Sequence, residues 1–273
     1  MRENQVMLQK PELRRLQLVL LELLVELDRV CRKHGIRYLM DGGTMIGAVR
    51  HKGFIPWDDD IDVAMLREDY EKFKKVTWDL NAKLCFFQDH TTDTNYRWGY
   101  GKLRKKGTSF IRKGQEHIKC QDGVFIDIFP YDDIPDSRFM QKTQNFYLFC
   151  LRKILWSEVG RVTCSGIWRI WYELLSKISH KWVLSRVDAI AAKSSNKSTH
   201  KVRILMFPAF YQKGEYGLDK RVLLEVKDFE FEGKLFHGYK NYDERLSAEY
   251  GDYMKLPPEE EQIPHLELSS CKF

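Results

Sequence analysis

Apolar residues return at three- and four-residue steps over 11–34, at Leu13, Leu16, Leu20, Leu23, Leu24, Leu27 and Cys31. That spacing predicts an amphipathic helix, with Pro11 suited to its first turn and Gly35 to the residue beyond its end. A short strand is expected at 36–40, running into the glycine turn Asp41-Gly42-Gly43-Thr44, with a short helix through 47–50. After the turn Phe54-Ile55-Pro56-Trp57, acids alternate with apolar residues over 60–65 as in a strand, and 67–76 has a helical pattern. Further strands are expected at 84–89, 98–104 and 124–129. Residues 138–192 lack proline and strand alternation and read as two or three helices. Strand alternation returns over 223–232, a short helix follows at 244–250, and Pro257-Pro258 should end regular structure. The order predicts an α/β (α+β) chain, a mixed sheet with flanking helices and a helical insertion. Its parts are expected at 1–137 (core), 138–200 (insertion) and 201–273 (completing the core and its site).

Composition narrows the class. Of 273 residues, 43% are apolar and 31% charged, which excludes a disordered or collagen-like chain. The longest uncharged runs, such as 143–151, reach nine residues, too short to span a bilayer. The first fifteen residues carry no apolar segment with a small-residue cleavage site, so a cytoplasmic protein is expected. The six cysteines form no C-x-x-C pair, which argues for reduced thiols over a disulfide framework or zinc ribbon. The net charge is only +6, but seven basic residues face two acids between 146 and 186, so the surplus is concentrated there.

The strongest chemical signal is Trp57-Asp58-Asp59-Asp60-Ile61-Asp62-Val63. In an extended chain Asp58, Asp60 and Asp62 would share a face, with Asp59 and Ile61 on the other. Three anions so close repel one another unless a cation lies between them, and oxygen ligands suit Mg²⁺ or Mn²⁺. Asp127, alone in the apolar run 123–130, needs a cation of its own. That cation is either the same metal, reached from a neighbouring strand, or a lysine or arginine. The glycines before Thr44 lie where backbone amides and a helix amino end can receive a phosphate, and Arg50 adds a fixed cation. His51, next to it, is a candidate to touch phosphate or accept a proton. Lys102 and Arg104 alternate on one strand and either face the same phosphates or form a solvated edge. Metal plus phosphate cradle implies phosphoryl or nucleotidyl transfer.

The run 38–63, with its Gly-Gly-Thr turn, Arg50-His51, Pro56-Trp57 and D-x-D-x-D, closely resembles the LicD family of the nucleotidyltransferase superfamily, related to the fukutin group. Residues 125–130, Tyr250-Gly-Asp-Tyr-Met254 and Pro257-Pro258 extend the resemblance over about 35–135 and 225–265. The family's proline before the tail's tyrosine-aspartate is missing in His237-Gly-Tyr-Lys-Asn-Tyr-Asp243. The resemblance implies a nucleotidyltransferase-like core and transfer of phosphocholine from CDP-choline to a sugar hydroxyl of a cell-surface glycan, such as teichoic acid or lipopolysaccharide. It assigns metal binding to Asp58, Asp60 and Asp62. It makes Asp127, with Asp60 and Asp62, catalytic, as metal ligand or as base toward the acceptor. Donor contacts fall to Gly43 and Arg50, joined by Thr44, His51 and Trp57 of the same run and by Lys102 and Arg104. Choline itself rests on the resemblance. The aromatics that could cage it, among them Tyr96, Trp98, Tyr100, Phe125, Tyr131, Tyr250 and Tyr253, are not singled out by spacing. Ribitol or glycerol phosphate transfer, nucleotidyl transfer and a non-catalytic scaffold remain alternatives.

Residues 146–186 mix tryptophan, leucine and isoleucine with their seven cations, the composition of an interfacial helix. The acceptor implied is a polyprenyl-linked glycan, and an anionic inner membrane face is the expected partner of this segment. The alternative is that its aromatics pack a second core. No nucleic-acid-binding signature is present.

Overall fold

The computed structural model describes residues 8–195, 199–208 and 216–273. Helix α1 (Lys10–Lys33) has Pro11 in its first turn, Arg32 and Lys33 in its last, and Gly35 beyond it at φ +62°. Glu12 accepts a hydrogen bond from the Gln9 amide at 2.9 Å, closing the amino end. The leucine stripe is fully buried and packs across the sheet, so the periodicity reports the core face directly.

Next come β1 (Leu39–Met40), α2 (Gly42–His51), β2 (Asp62–Leu66), α3 (Arg67–Val76), β3 (Cys85–Gln88), β4 (Gly101–Lys105), β5 (Ser109–Arg112) and β6 (Phe125–Asp133). The sheet runs β1-β2-β6-β4-β3, with β2 and β6 parallel and the other neighbours antiparallel. α1 packs on β4 and β6, and α3 on β2 and β6. Every residue of β6 is buried, as suits a central strand with neighbours on both edges.

Three helices follow: α4 (Arg138–Thr163), α5 (Gly166–Ser176) and α6 (His180–Ser195). β7 (Lys201–Arg203) then returns to the end of β6 and pairs with β8 (Leu218–Asp219). The tail adds α7 (Arg221–Leu224), the antiparallel hairpin β9 (Val226–Phe231) and β10 (Lys234–Tyr239), α8 (Tyr242–Tyr250) and β11 (Leu268–Lys272), which pairs with β5. One apolar cluster joins α1, the sheet and the tail. A second unites Leu148, Leu151 and Leu155 of α4, Val183, Leu184 and Val187 of α6, and Leu205.

The mixed α+β architecture and the three-helix stretch agree with the pattern along the chain. Several expectations are corrected. The strand at 36–40 shrinks to two residues, and the glycine turn is the first turn of α2. β2 begins only at Asp62, so Asp58 and Asp60 precede it and strand alternation does not govern them. The stretch 223–232 splits into the end of α7 and β9. Pro257-Pro258 does not end regular structure, because β11 finds its partner in β5, distant in sequence.

Candidate active site

Strand register creates the centre of the site. Asp62 of β2 stands opposite Asp127 of β6, which stands opposite Lys102 of β4, forming a row across three adjacent strands. The Lys102 ammonium donates a short hydrogen bond to Asp127 Oδ1. It lies 3.2 Å from the centre of the Phe125 ring, a cation over an aromatic face. Burial pushes the Lys102 ammonium down to about 7 despite its partner. Burial likewise raises Asp127, although Lys102 opposes it. The solvated-edge alternative for Lys102 and Arg104 fails, since both are buried. Arg104 sits over the same ring but donates to Gln88 Oε1 and, at 2.6 Å, to the Gly123 carbonyl, binding the β3–β4 edge to the loop before β6.

The turn between β1 and α2 brings backbone against these carboxylates. Gly42 has φ +53°, and a side chain there would meet Asp62 Oδ2 at 3.3 Å; one on Gly43 would meet Asp58 Oδ2 at 3.0 Å. Thr44 Oγ1 accepts the Asp62 amide at 2.9 Å, fixing the start of β2. Asp41 before the turn accepts from the Tyr131 hydroxyl at 2.7 Å and from Arg245 of α8 at 2.9 Å. From the opposite side, Gln17 of α1 donates to the Asp58 carbonyl at 3.0 Å.

Asp58, Asp59 and Asp60 curl around one imidazole. His265 Nδ1 lies 3.0 Å from Asp59 Oδ1, and its Nε2 lies 3.0 Å from Asp60 Oδ2. The expectation that Asp59 points away from Asp58 and Asp60 is therefore overturned, because the chain is not extended there. Its other oxygen accepts the Leu266 amide at 3.0 Å. Burial first, and then the Asp60 carboxylate, push both Asp58 and Asp62 well above the ordinary carboxylate range. His265 is pushed up to about 9, chiefly by its hydrogen bond to Asp60. Sequence reading missed His265: an isolated histidine more than 200 residues from the acids, as the separation to Asp60 shows, carries no local signal.

Among the described residues, ligand atoms of Asp58, Asp59, Asp60 and His265 all lie within 4.8 Å of one another. Asp62 and Asp127 adjoin them: the Asp60 carboxylate raises the proton affinity of both, and Asp127 raises that of Asp62. A carboxylate-rich set whose members resist ionisation together fits a hard divalent cation, which would relieve that repulsion.

Of the remaining candidates, Arg50 donates to the Tyr253 carbonyl at 2.7 Å and to His51 Nε2 at 2.9 Å, tethering the tail to α2. Burial lowers the His51 imidazole, and Arg50 lowers it further. Trp57 is half-buried against the main core. Asp62 and Gly42 also line a cavity of about 520 Å³ with Phe129, Tyr131, Phe207 and Tyr250. Of the aromatics named from sequence, Tyr131 and Tyr250 reach it.

The family model described as LicD/FKTN/FKRP, nucleotidyltransferase domain, matches residues 35–154. The chain belongs to the LicD family and is a transferase. Over 272 residues it is 34% identical to lipopolysaccharide cholinephosphotransferase LicD of Haemophilus influenzae, covering 94% of this chain and 97% of that protein. A shorter stretch of 35 residues, 13% of this chain, is 49% identical to the ribitol 5-phosphate transferase FKRP of human and of mouse, of which it covers 7%.

Proposed function

We propose that the protein transfers phosphocholine from CDP-choline to a sugar hydroxyl of a lipid-linked glycan of lipopolysaccharide or teichoic acid type, releasing CMP. The observation that carries this reading is the row Asp62–Asp127–Lys102 beside the amino end of α2, whose Asp62 lines the aromatic cavity. The similarity to a lipopolysaccharide cholinephosphotransferase over nearly the whole chain supports it.

In this reading Asp58, Asp60, Asp62 and Asp127, adjoined by Asp59 and His265, would hold Mg²⁺ or Mn²⁺. The metal would supply charge neutralisation for the diphosphate and for the oxygens entering and leaving phosphorus. The acceptor hydroxyl oxygen forms a bond to the phosphorus bearing choline, and the bond from that phosphorus to the oxygen of CMP breaks. Asp127 takes the hydroxyl proton, and Lys102 holds its carboxylate in place. Gly42 and Gly43, bare of side chains, let the diphosphate approach the amino end of α2. Phe129, Tyr131, Phe207 and Tyr250, which line the cavity, are the aromatics available to a quaternary ammonium.

Calorimetry with CDP-choline, CDP-ribitol, CDP-glycerol and CTP, with and without Mg²⁺, tests the proposal on wild type and Asp60→Ala. Mg²⁺-dependent binding of CDP-choline that the variant loses is expected. Preferential binding of CDP-ribitol would replace choline by a polyol, as the short match to the ribitol 5-phosphate transferases suggests. Absence of binding by every cytidine nucleotide would overturn the enzymatic reading of the site.

A further inference from the structure

α5 is amphipathic but turned outward. Ile167, Ile170, Trp171, Leu174 and Ile178 recur at helical spacing across α5 and the turn beyond it. They are 73%, 60%, 50%, 54% and 37% exposed. Trp168 beside them is 63% exposed, and Tyr172 is the helix's buried residue. Tyr172 packs at the close approach to Gly160 of α4, where a Cβ would stand 2.5 Å from its ring. The helix is thus anchored along one line and presents its apolar stripe to solvent. A contiguous outward stripe of this kind marks an interaction surface, not ordinary scattered exposure.

Charge identifies the partner. The segment 138–195 carries ten lysines and arginines against three acids, a surplus of seven in a chain whose net charge is +6. Arg169 and Lys177 of the α5 segment and Lys181 and Arg186 of α6 are exposed. Exposed tryptophan and isoleucine bordered by cations match a bilayer interface, whose headgroups are anionic and whose acyl boundary takes up apolar side chains. We propose that α5 is a docking surface for an anionic lipid bilayer, lying in the plane of the interface. No helix among the described residues is long and apolar enough to cross a membrane, so contact is by embedding and not by spanning. The same unit adjoins the candidate site. Leu205 belongs to the core shared by α4 and α6, while its neighbour Ile204 and nearby Phe207 line the cavity. Docking through α5 would hold the protein at the surface that carries a lipid-borne substrate.

Co-sedimentation with vesicles of phosphatidylcholine, with and without 30% phosphatidylglycerol, tests this on the full chain, in the absence of any nucleotide. Its outcome is thus separate from that of the transfer reaction. Wild type is expected to bind the anionic vesicles at least tenfold more tightly than the neutral ones, with weakening at high salt and a blue shift of tryptophan emission. The triple variant Ile167→Ser/Trp171→Ser/Leu174→Ser should lose at least tenfold in binding while keeping its far-ultraviolet circular dichroism and its thermal midpoint. Equal binding by wild type and variant, or no binding at low salt, overturns the proposal. So does a dimer that the triple variant converts to monomer without any vesicle binding by wild type, since the stripe would then be an interface between copies.

Discussion

α1 and α5 are both amphipathic helices with apolar stripes, yet they put those stripes to opposite use. Leu16, Leu20, Leu23, Leu24 and Leu27 of α1 are almost wholly buried against the sheet, whereas the α5 stripe faces water. Periodicity alone describes both equally well. What separates them is the partner: α1 has a sheet face to cover, while α5 packs chiefly on α4, along the Gly160–Tyr172 contact. A hydrophobic pattern therefore specifies that a face will be covered and leaves open by what. The charged groups show the same contrast: Lys102 and Asp127 of the sheet are buried and paired, and most of those of the helical unit are exposed.

The sharpest way to break the contrast lies in the buried pair. Asp127→Asn leaves the Lys102 ammonium buried with no counter-charge, and a loss of about 3 kcal/mol in urea unfolding is expected. Lys102→Met in the same background should recover much of it, because the uncompensated charge is gone. Transfer activity should stay abolished in both.

Leucine truncation compares the two helices directly. Leu24→Ala in α1 should cost about 3 kcal/mol, whereas Leu174→Ala in α5 should change stability by less than about 0.5 kcal/mol. A comparable cost at both positions would mean that the α5 stripe is covered in the free protein.

Next in size is Thr44→Val, which removes the acceptor for the Asp62 amide and should cost about 1 kcal/mol. Because Asp62 sits at the site, kcat should fall while KM for the donor changes little, and Thr44→Ser should restore both stability and rate.

The smallest effect concerns a carboxylate just beyond α3, facing the end of α1. Asp79 meets Lys33 first and also His34, which hold it down to about 2, against 3.8 ordinarily. A carboxylate depressed by folding stabilises fully above its unfolded value and loses that contribution as pH falls through the folded one. Asp79→Asn should therefore lower stability by a small constant amount at neutral pH, flatten the profile between pH 4 and 2, and match the wild type below pH 2. The crowded Asp58 and Asp62, whose affinity for protons is raised, show how far the same side chain depends on its surroundings.

Much of the fold was legible where local pattern and tertiary burial agree, as in α1, α3 and the three-helix stretch. β5, β10 and β11 were not, since β5 and β11 exist by pairing segments far apart in the chain. At the site, the motif residues Asp58, Asp60, Asp62 and Asp127 were all visible, and the strands place Asp62 and Asp127 opposite each other. Arg50 was read as a phosphate contact, yet it holds the tail's carbonyls; which anion or dipole a guanidinium meets is a property of the folded chain.

The sequence by itself determined the helical and strand periodicities, the density of acids at 58–62 and the surplus of cations in 138–195, because these depend on neighbours within a few residues. The tertiary structure alone decided that Asp62, Asp127 and Lys102 form one row. It also decided that His265 closes on the acids and that the α5 stripe stays outside the core. Those outcomes depend on sheet register and on which faces run out of partners, and both are fixed only when distant segments pack together.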